Sequence, residues 1–123
     1  MNTKILTVYE SSKSAVSHPT IKLQGNLLDE YGFSAETLVM GEHSNGQAVF
    51  RAVGKGIEVY NKVVGDVREK DACLIQIFSV LQHGKYYPVL MVSGKWLTDA
   101  GFCIGDVISV RYGKDTITVK KIE

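Results

Sequence analysis

Apolar and polar residues alternate along much of this chain with a period of two, the signature of strands with one buried face. Met1-Asn2-Thr3-Lys4-Ile5-Leu6-Thr7-Val8 alternates and then turns polar, which predicts a strand at the N-terminus and not a secretion signal. Thr20 to Leu23 alternates, and Val89 to Val92 is a continuous apolar run of strand length. Val107 to Tyr112 and Thr116 to Lys120 alternate on either side of Gly113-Lys114-Asp115, which predicts a hairpin. Ile57 to Tyr60 and Ala72 to Val80 also read as strands; between them Asn61 to Asp71 is a mixed-charge stretch, broken by Gly65, that fits a helix or a loop. Residues 9–18 are the candidate mobile loop. Helical patterning is confined to stubs: Ser93 is placed to cap a helix from Gly94 to Ala100, and Gly101 to end it.

The stubs recur. Residues 19–40 and 88–109 align without a gap at an offset of 69, with Pro19/Pro88, Gly25/Gly94, Leu28/Leu97, Gly32/Gly101 and Phe33/Phe102 identical. Ile21/Leu90, Leu23/Val92, Glu30/Asp99, Leu38/Val107 and Val39/Ile108 keep their chemical type. The identities fall on structural punctuation, a proline that opens a strand and glycines that bracket a helix, so the repeat is read as an internal duplication. Each copy is strand, stub helix, hairpin. Leu28, Phe33, Trp96, Leu97 and Phe102 are the expected core plugs. One such unit is too small to bury its apolar side alone and requires the other copy or a partner chain. The expected organisation is a first, degenerate copy over 1–56, intervening strands over 57–84 and a second copy over 85–123, packed as one compact domain. The fold class expected is mainly β with short helices.

Composition narrows this little. Hydrophobic residues are 45% and charged residues 22%, enough apolar material for a core and too much for a disordered chain. A net charge of +1 removes the strong basic signature of a high-affinity nucleic-acid binder. No apolar run reaches the length of a membrane span. Cys73 and Cys103 lie in apolar stretches and are expected as buried free thiols, which fits a cytoplasmic protein.

The second copy carries a more specific pattern. Pro88, Ser93, Gly94, Trp96, Leu97, Ala100, Gly101, Phe102, Gly105, Asp106 and Val110 resemble the core of the SymE family, toxin-like proteins of the AbrB/SpoVT superfamily. The first copy keeps Pro19, Gly25, Leu28, Gly32 and Phe33, but has Leu27 for the tryptophan and Glu36-Thr37 for the Gly-Asp turn. The resemblance implies a swapped-hairpin barrel of two βαββ units, here within one chain as a monomeric pseudo-dimer, or in a homodimer of such chains. It also implies nucleic-acid binding, to DNA or RNA, in a toxin–antitoxin, regulatory or mobile-element system of a bacterium or phage. RNA cleavage enters by that analogy alone.

Chemistry outside the resemblance is sparse. His18, His43 and His83 are isolated and expected in loops, no spacing suggests a metal site, and no cofactor is expected. Asp29 and Glu30 are adjacent and diverge on a helix, so they do not form an acid–base pair. No catalytic residue is nominated. The nucleic-acid candidates are Lys22, Arg51 and Lys55 from the first copy, with Lys95, Arg111, Lys114 and Lys120 from the second. Arg111 shares a face with Val107 and Ser109, as Lys120 does with Thr116 and Thr118; the alternative is scattered solubilising charge. A further reading is a protein-binding inhibitor or adaptor, phage or mobile-element encoded. Its anchors would be Tyr60, Tyr86, Tyr87 and Tyr112, unless these pack against the barrel.

Overall fold

The computed structural model describes residues 2–11, 18–70 and 72–122. In chain order its elements are β1 (Asn2–Thr7), β2 (Tyr9–Ser11), β3 (His18–Gln24), α1 (Asn26–Glu30), β4 (Leu38–Ser44), β5 (Gln47–Gly54) and α2 (Ile57–Glu69). There follow β6 (Cys73–Gln76), β7 (Phe78–Gln82), β8 (Lys85–Ser93), α3 (Lys95–Asp99), β9 (Val107–Gly113) and β10 (Thr116–Lys121). The strands form two antiparallel sheets, one of six in the order β1-β9-β10-β5-β4-β6 and one of four in the order β2-β3-β8-β7. The fold is mainly β with short helices, as the alternation predicts. Both sheets are open, and no closed barrel forms among the described residues.

The strand registers place a pseudo-two-fold axis through the molecule. At the centre of the four-stranded sheet Lys22 faces Met91, its own counterpart at the offset of 69. At the centre of the six-stranded sheet Val49 faces Thr118, again a residue and its counterpart. The same offset relates the outer strands, for Lys4 faces Val110 in β1·β9 while Cys73 faces Gly41 in β6·β4. Tyr9 faces Thr20 in β2·β3, and Phe78 faces Val89 in β7·β8. The repeated pairing pattern therefore extends over every strand of both sheets. Within 57–84, expected as intervening strands, β6 and β7 pair as β1 and β2 do, and α2 is the element without a counterpart in the pairing.

Both copies bend in the same place. Val8 and Ile77, each 1% exposed, interrupt the strand pairs β1–β2 and β6–β7, so each chain segment leaves the edge of the large sheet and joins the edge of the small one. Strands that switch sheets at a bend are how packed sheets turn corners. At these bends Val8 N–H donates to Asp106 O while Gly105 N–H donates to Val8 O. Ile77 N–H and Glu36 N–H repeat the exchange with Thr37 O and Ile77 O.

Several local expectations change. Ile57 to Tyr60 open a helix, not a strand: Val59, Val63 and Val67 fall at i, i+4 and i+8 and form its half-buried stripe. Ser93 ends β8, and the residue before α3 is Gly94 at φ 94°, with no side-chain cap. Of the supposed loop, Tyr9–Ser11 and His18 are strand residues, while 12–17 lie outside the described residues. Cys73 is half-buried in β6, where desolvation raises its thiol pKa to about 11, against a smaller opposing effect of backbone hydrogen bonding from Gly41; Cys103 is exposed, not buried. Both thiols are free.

The two copies interlock across the axis. The turn of the first hairpin sends Gly46 N–H to Ala100 O at the end of α3, and that of the second sends Asp115 N–H to Tyr31 O at the end of α1, each at 2.8 Å. Each hairpin is thus docked on the other copy's helix. The approach is close: a Cβ on Gly32 would meet the Asp115 carboxylate, and one on Gly101 would lie 3.1 Å from Asn45 Oδ1 and Gly46 N. Leu28, Phe33, Leu97 and Phe102 are at most 1% exposed and form the shared core, with Trp96 packed against its margin.

Candidate nucleic-acid interface

On a strand whose inner residues are buried, the intervening ones must face out. Ile108, Val110, Tyr112, Ile117 and Val119 fill the core, so Ser109 and Arg111 of β9 and Thr116, Thr118 and Lys120 of β10 form the outer surface of the large sheet. Register brings neighbouring strands alongside: Thr3 faces Arg111, Arg111 faces Thr118, and Lys120 faces both Ser109 and Gln47. Thr3, Gln47, Ser109, Arg111, Thr118 and Lys120 line a shallow depression of about 240 Å³. Two cations, three hydroxyls and an amide on a shelf beside the pseudo-axis can hold an anionic, hydrogen-bond-accepting ligand such as a phosphate backbone.

The counterpart surface is different. Arg51 corresponds to Lys120, but Glu42 stands where Arg111 would be. Glu42 Oε1 lies 3.9 Å from Arg51 Nη1 and 3.8 Å from Lys70 Nζ. Half of the outer face is therefore open to an anion, and half has its charge engaged within the chain.

Of the seven nominated cations the structure brings Arg51, Arg111 and Lys120 to one face. Lys22 lies on the exposed side of the small sheet, opposite Met91. Lys95 begins α3, which packs on β3 and β8 and away from the large sheet's outer face. Lys114 sits in the β9–β10 turn and Lys55 between β5 and α2. A single patch joining Lys95 to Arg111 is not formed.

The tyrosines divide as well. Tyr86 (71% exposed) and Tyr60 (41%) are available, and Tyr87 is half-buried. Tyr112 is no anchor: it is 1% exposed, its ring centroid stands 5.9 Å from that of Tyr31, and burial raises its phenol to about 12. Tyr86 faces Leu81 across β7·β8, an exposed apolar pair that the tyrosine count alone misses.

No group of acidic, histidine or cysteine side chains among the described residues could hold a metal. His18 begins β3 and His83 lies in the β7–β8 turn. His43 is not in a loop; it lies in β4 with its ring 5.0 Å from that of Trp96, edge to face. The Trp96 indole N–H is buried with no hydrogen-bond partner. No described helix is long and apolar enough to cross a membrane. Comparison of the chain with protein-family models, curated proteins and solved structures finds no match.

Proposed function

We propose that this chain is a nucleic-acid-binding protein of SymE/AbrB-like kind, a single-chain pseudo-dimer descended from a swapped-hairpin barrel and serving a toxin–antitoxin, regulatory or mobile-element system. What supports the architecture is the reciprocal docking of each hairpin on the other copy's helix. The observation that carries the function is the shelf of Arg111 and Lys120 among Thr3, Ser109, Thr118 and Gln47. Backbone phosphate is its ligand, since cations and hydroxyls on a sheet face supply positioning contacts and no base-reading edge. With two or three phosphates neutralised the affinity is modest and strongly salt-dependent.

Fluorescence anisotropy with labelled single- and double-stranded DNA and RNA, titrated with salt, tests this. Arg111→Ala with Lys120→Ala is expected to weaken binding by roughly tenfold and to flatten the log–log salt slope on duplex DNA by about 1 to 2. No binding to any of the four at low salt would overturn the reading. The second reading, a protein-binding inhibitor or adaptor, is favoured by the exposed Leu81–Tyr86 pair on the β7–β8 hairpin. A pull-down that Tyr86→Ala abolishes and Arg111→Ala leaves intact would select it.

A further inference from the structure

The pseudo-axis relates two corners of the large sheet that are finished differently. In the first, α2 packs across β4, β5 and β6, and the chain around it is apolar: Leu38 is 8% exposed, and Ala35, Val53 and Leu74 are half-buried. Val59 of α2 lies on Gly54, 3.1 Å from where a Cβ would stand. The counterparts at the offset of 69 are Ile104, Val107, Ile122 and Ile5, and these are 44%, 43%, 43% and 60% exposed. Three of them are neighbours by pairing, for Thr7 faces Val107 in β1·β9, Ile5 faces Ser109 one step along, and Ile122 N–H donates to Val107 O; Ile104 precedes Val107 by three residues in the chain. Four large aliphatic side chains are open to water where the related four are buried or half-buried at the corner on which α2 packs.

Charge distinguishes the corners as well. At the end of α2, Lys70 reaches Glu42 at 3.8 Å. Arg111 takes the place of Glu42 at the open corner and forms no ion pair with a described residue. A helix laid here as α2 is laid on the other side would need the opposite charge at its C-terminal end.

The geometry points to a docking site for an amphipathic helix of a partner protein. The helix has three to four turns, an aliphatic stripe at i, i+4 and i+8 to cover Ile5, Ile104, Val107 and Ile122, and a terminal acidic side chain to meet Arg111. Such helix-in-groove contacts are driven by the apolar stripe and oriented by the charge. Because Arg111 also belongs to the phosphate shelf, the docked helix competes with nucleic acid for it; the apolar contact itself does not depend on that shelf binding anything.

The test uses the full chain, isotopically labelled for amide NMR, and a synthetic peptide of residues 55–70 carrying Lys70→Glu. A peptide of this length is only marginally helical alone, so a dissociation constant of roughly 10–500 μM is expected. Saturable shifts at Ile5, Val107 and Ile122 are expected, lost with Val107→Asp and with Ile122→Asp, two surface changes that back each other up should one fail to fold. Arg111→Glu should weaken the peptide at least threefold and prefer the version that keeps Lys70. No shifts at millimolar peptide, or shifts indifferent to both aspartate variants, would overturn the proposal. So would a concentration-dependent dimer that Val107→Asp dissociates, since a second copy would then cover the corner.

Discussion

The two halves share a backbone plan in which α1 and α3, and β4 and β9, coincide at one offset and the other strands overlap at it, yet their large side chains sit at different points of it. Just after α1 the bulky member is Tyr31, its ring tilted against that of Tyr112 of the other half; on α3 it is Trp96, packed on His43 and Phe50 of the other half at 5.0 and 5.8 Å. The counterpart of Tyr31 is Ala100, and that of Trp96 is Leu27. Within the hairpins, Gly41 lies beside Phe50 where the second half pairs Val110 with Val119. Volume lost at one site returns one turn or one strand away, as close packing demands. The first copy therefore only looks eroded when read by identity. The pair has become heterologous, and each half is shaped for the other.

The largest expected effect tests whether the halves stand or fall together. Phe33→Ala and Phe102→Ala each empty a fully buried site and should cost about 3–5 kcal/mol. Denaturant unfolding followed by fluorescence and by far-UV circular dichroism should show one coincident transition in both variants. Two separated transitions would mean that the halves fold independently.

Next comes the compensated pair. A Cβ on Gly41 would sit 2.8 Å from Phe50 Cε1 and 2.7 Å from Cys73 Sγ, so Gly41→Val should destabilise by about 1–3 kcal/mol. Adding Phe50→Val copies the second half's arrangement into the first. The double variant should be more stable than the summed single effects by about 0.5–3 kcal/mol in a double-mutant cycle; strict additivity would deny the compensation.

The counterpart of His43 is Tyr112, whose phenol is buried. The buried phenol, raised from 10.0 to about 12, stays neutral in the folded state while the unfolded chain ionises from pH 10 upward. Stability therefore falls as pH rises between about 10 and 12, and Cys73 adds a similar loss between 9 and 11. Tyr112→Phe should remove the upper part of that loss and move the alkaline unfolding midpoint upward. An unchanged midpoint would show that the phenol is not the sensitive group.

The smallest effect has the opposite sign. Glu36 has φ 72° where its counterpart Gly105 has φ 91°, a region that costs a side chain about 1–2 kcal/mol. Glu36→Gly is expected to stabilise by up to about 1 kcal/mol net of the glycine's unfolded-state entropy, and Gly105→Ala to destabilise by about 1 kcal/mol, both read in urea melts.

What could be read from the sequence follows the same physics. Pro19, Gly25, Gly32 and Phe33 are held by backbone geometry and a filled core, so the repeat is legible there. The bent edge strands preserve only chemical type, as in Val8/Ile77 and Tyr9/Phe78, because backbone pairing at an edge constrains side-chain identity weakly. Identity therefore does not reveal them, and by sequence 57–84 reads as intervening strands. The β-branched start of α2 reads as a strand, although Val59, Val63 and Val67 hold the helical spacing. Period-two alternation correctly put Arg111 with Ser109, and Lys120 with Thr118. It could not say that Lys22 and Lys95 lie away from that face, since alternation fixes the sides of a strand and says nothing of how elements are stacked.

The crossed docking of hairpins on helices also has a consequence at the ribosome. The first half emerges with Phe33, Phe50 and Tyr31 made, while the helix and hairpin that cover them are still being translated. At roughly 5–20 residues per second the delay is on the order of several seconds. During that interval the nascent segment is exposed to chaperones, proteases and other nascent copies. A first half meeting another first half would set Tyr31 against His43 and find a leucine in place of Trp96, so the mismatch in volume favours waiting for the correct half over pairing with a neighbour.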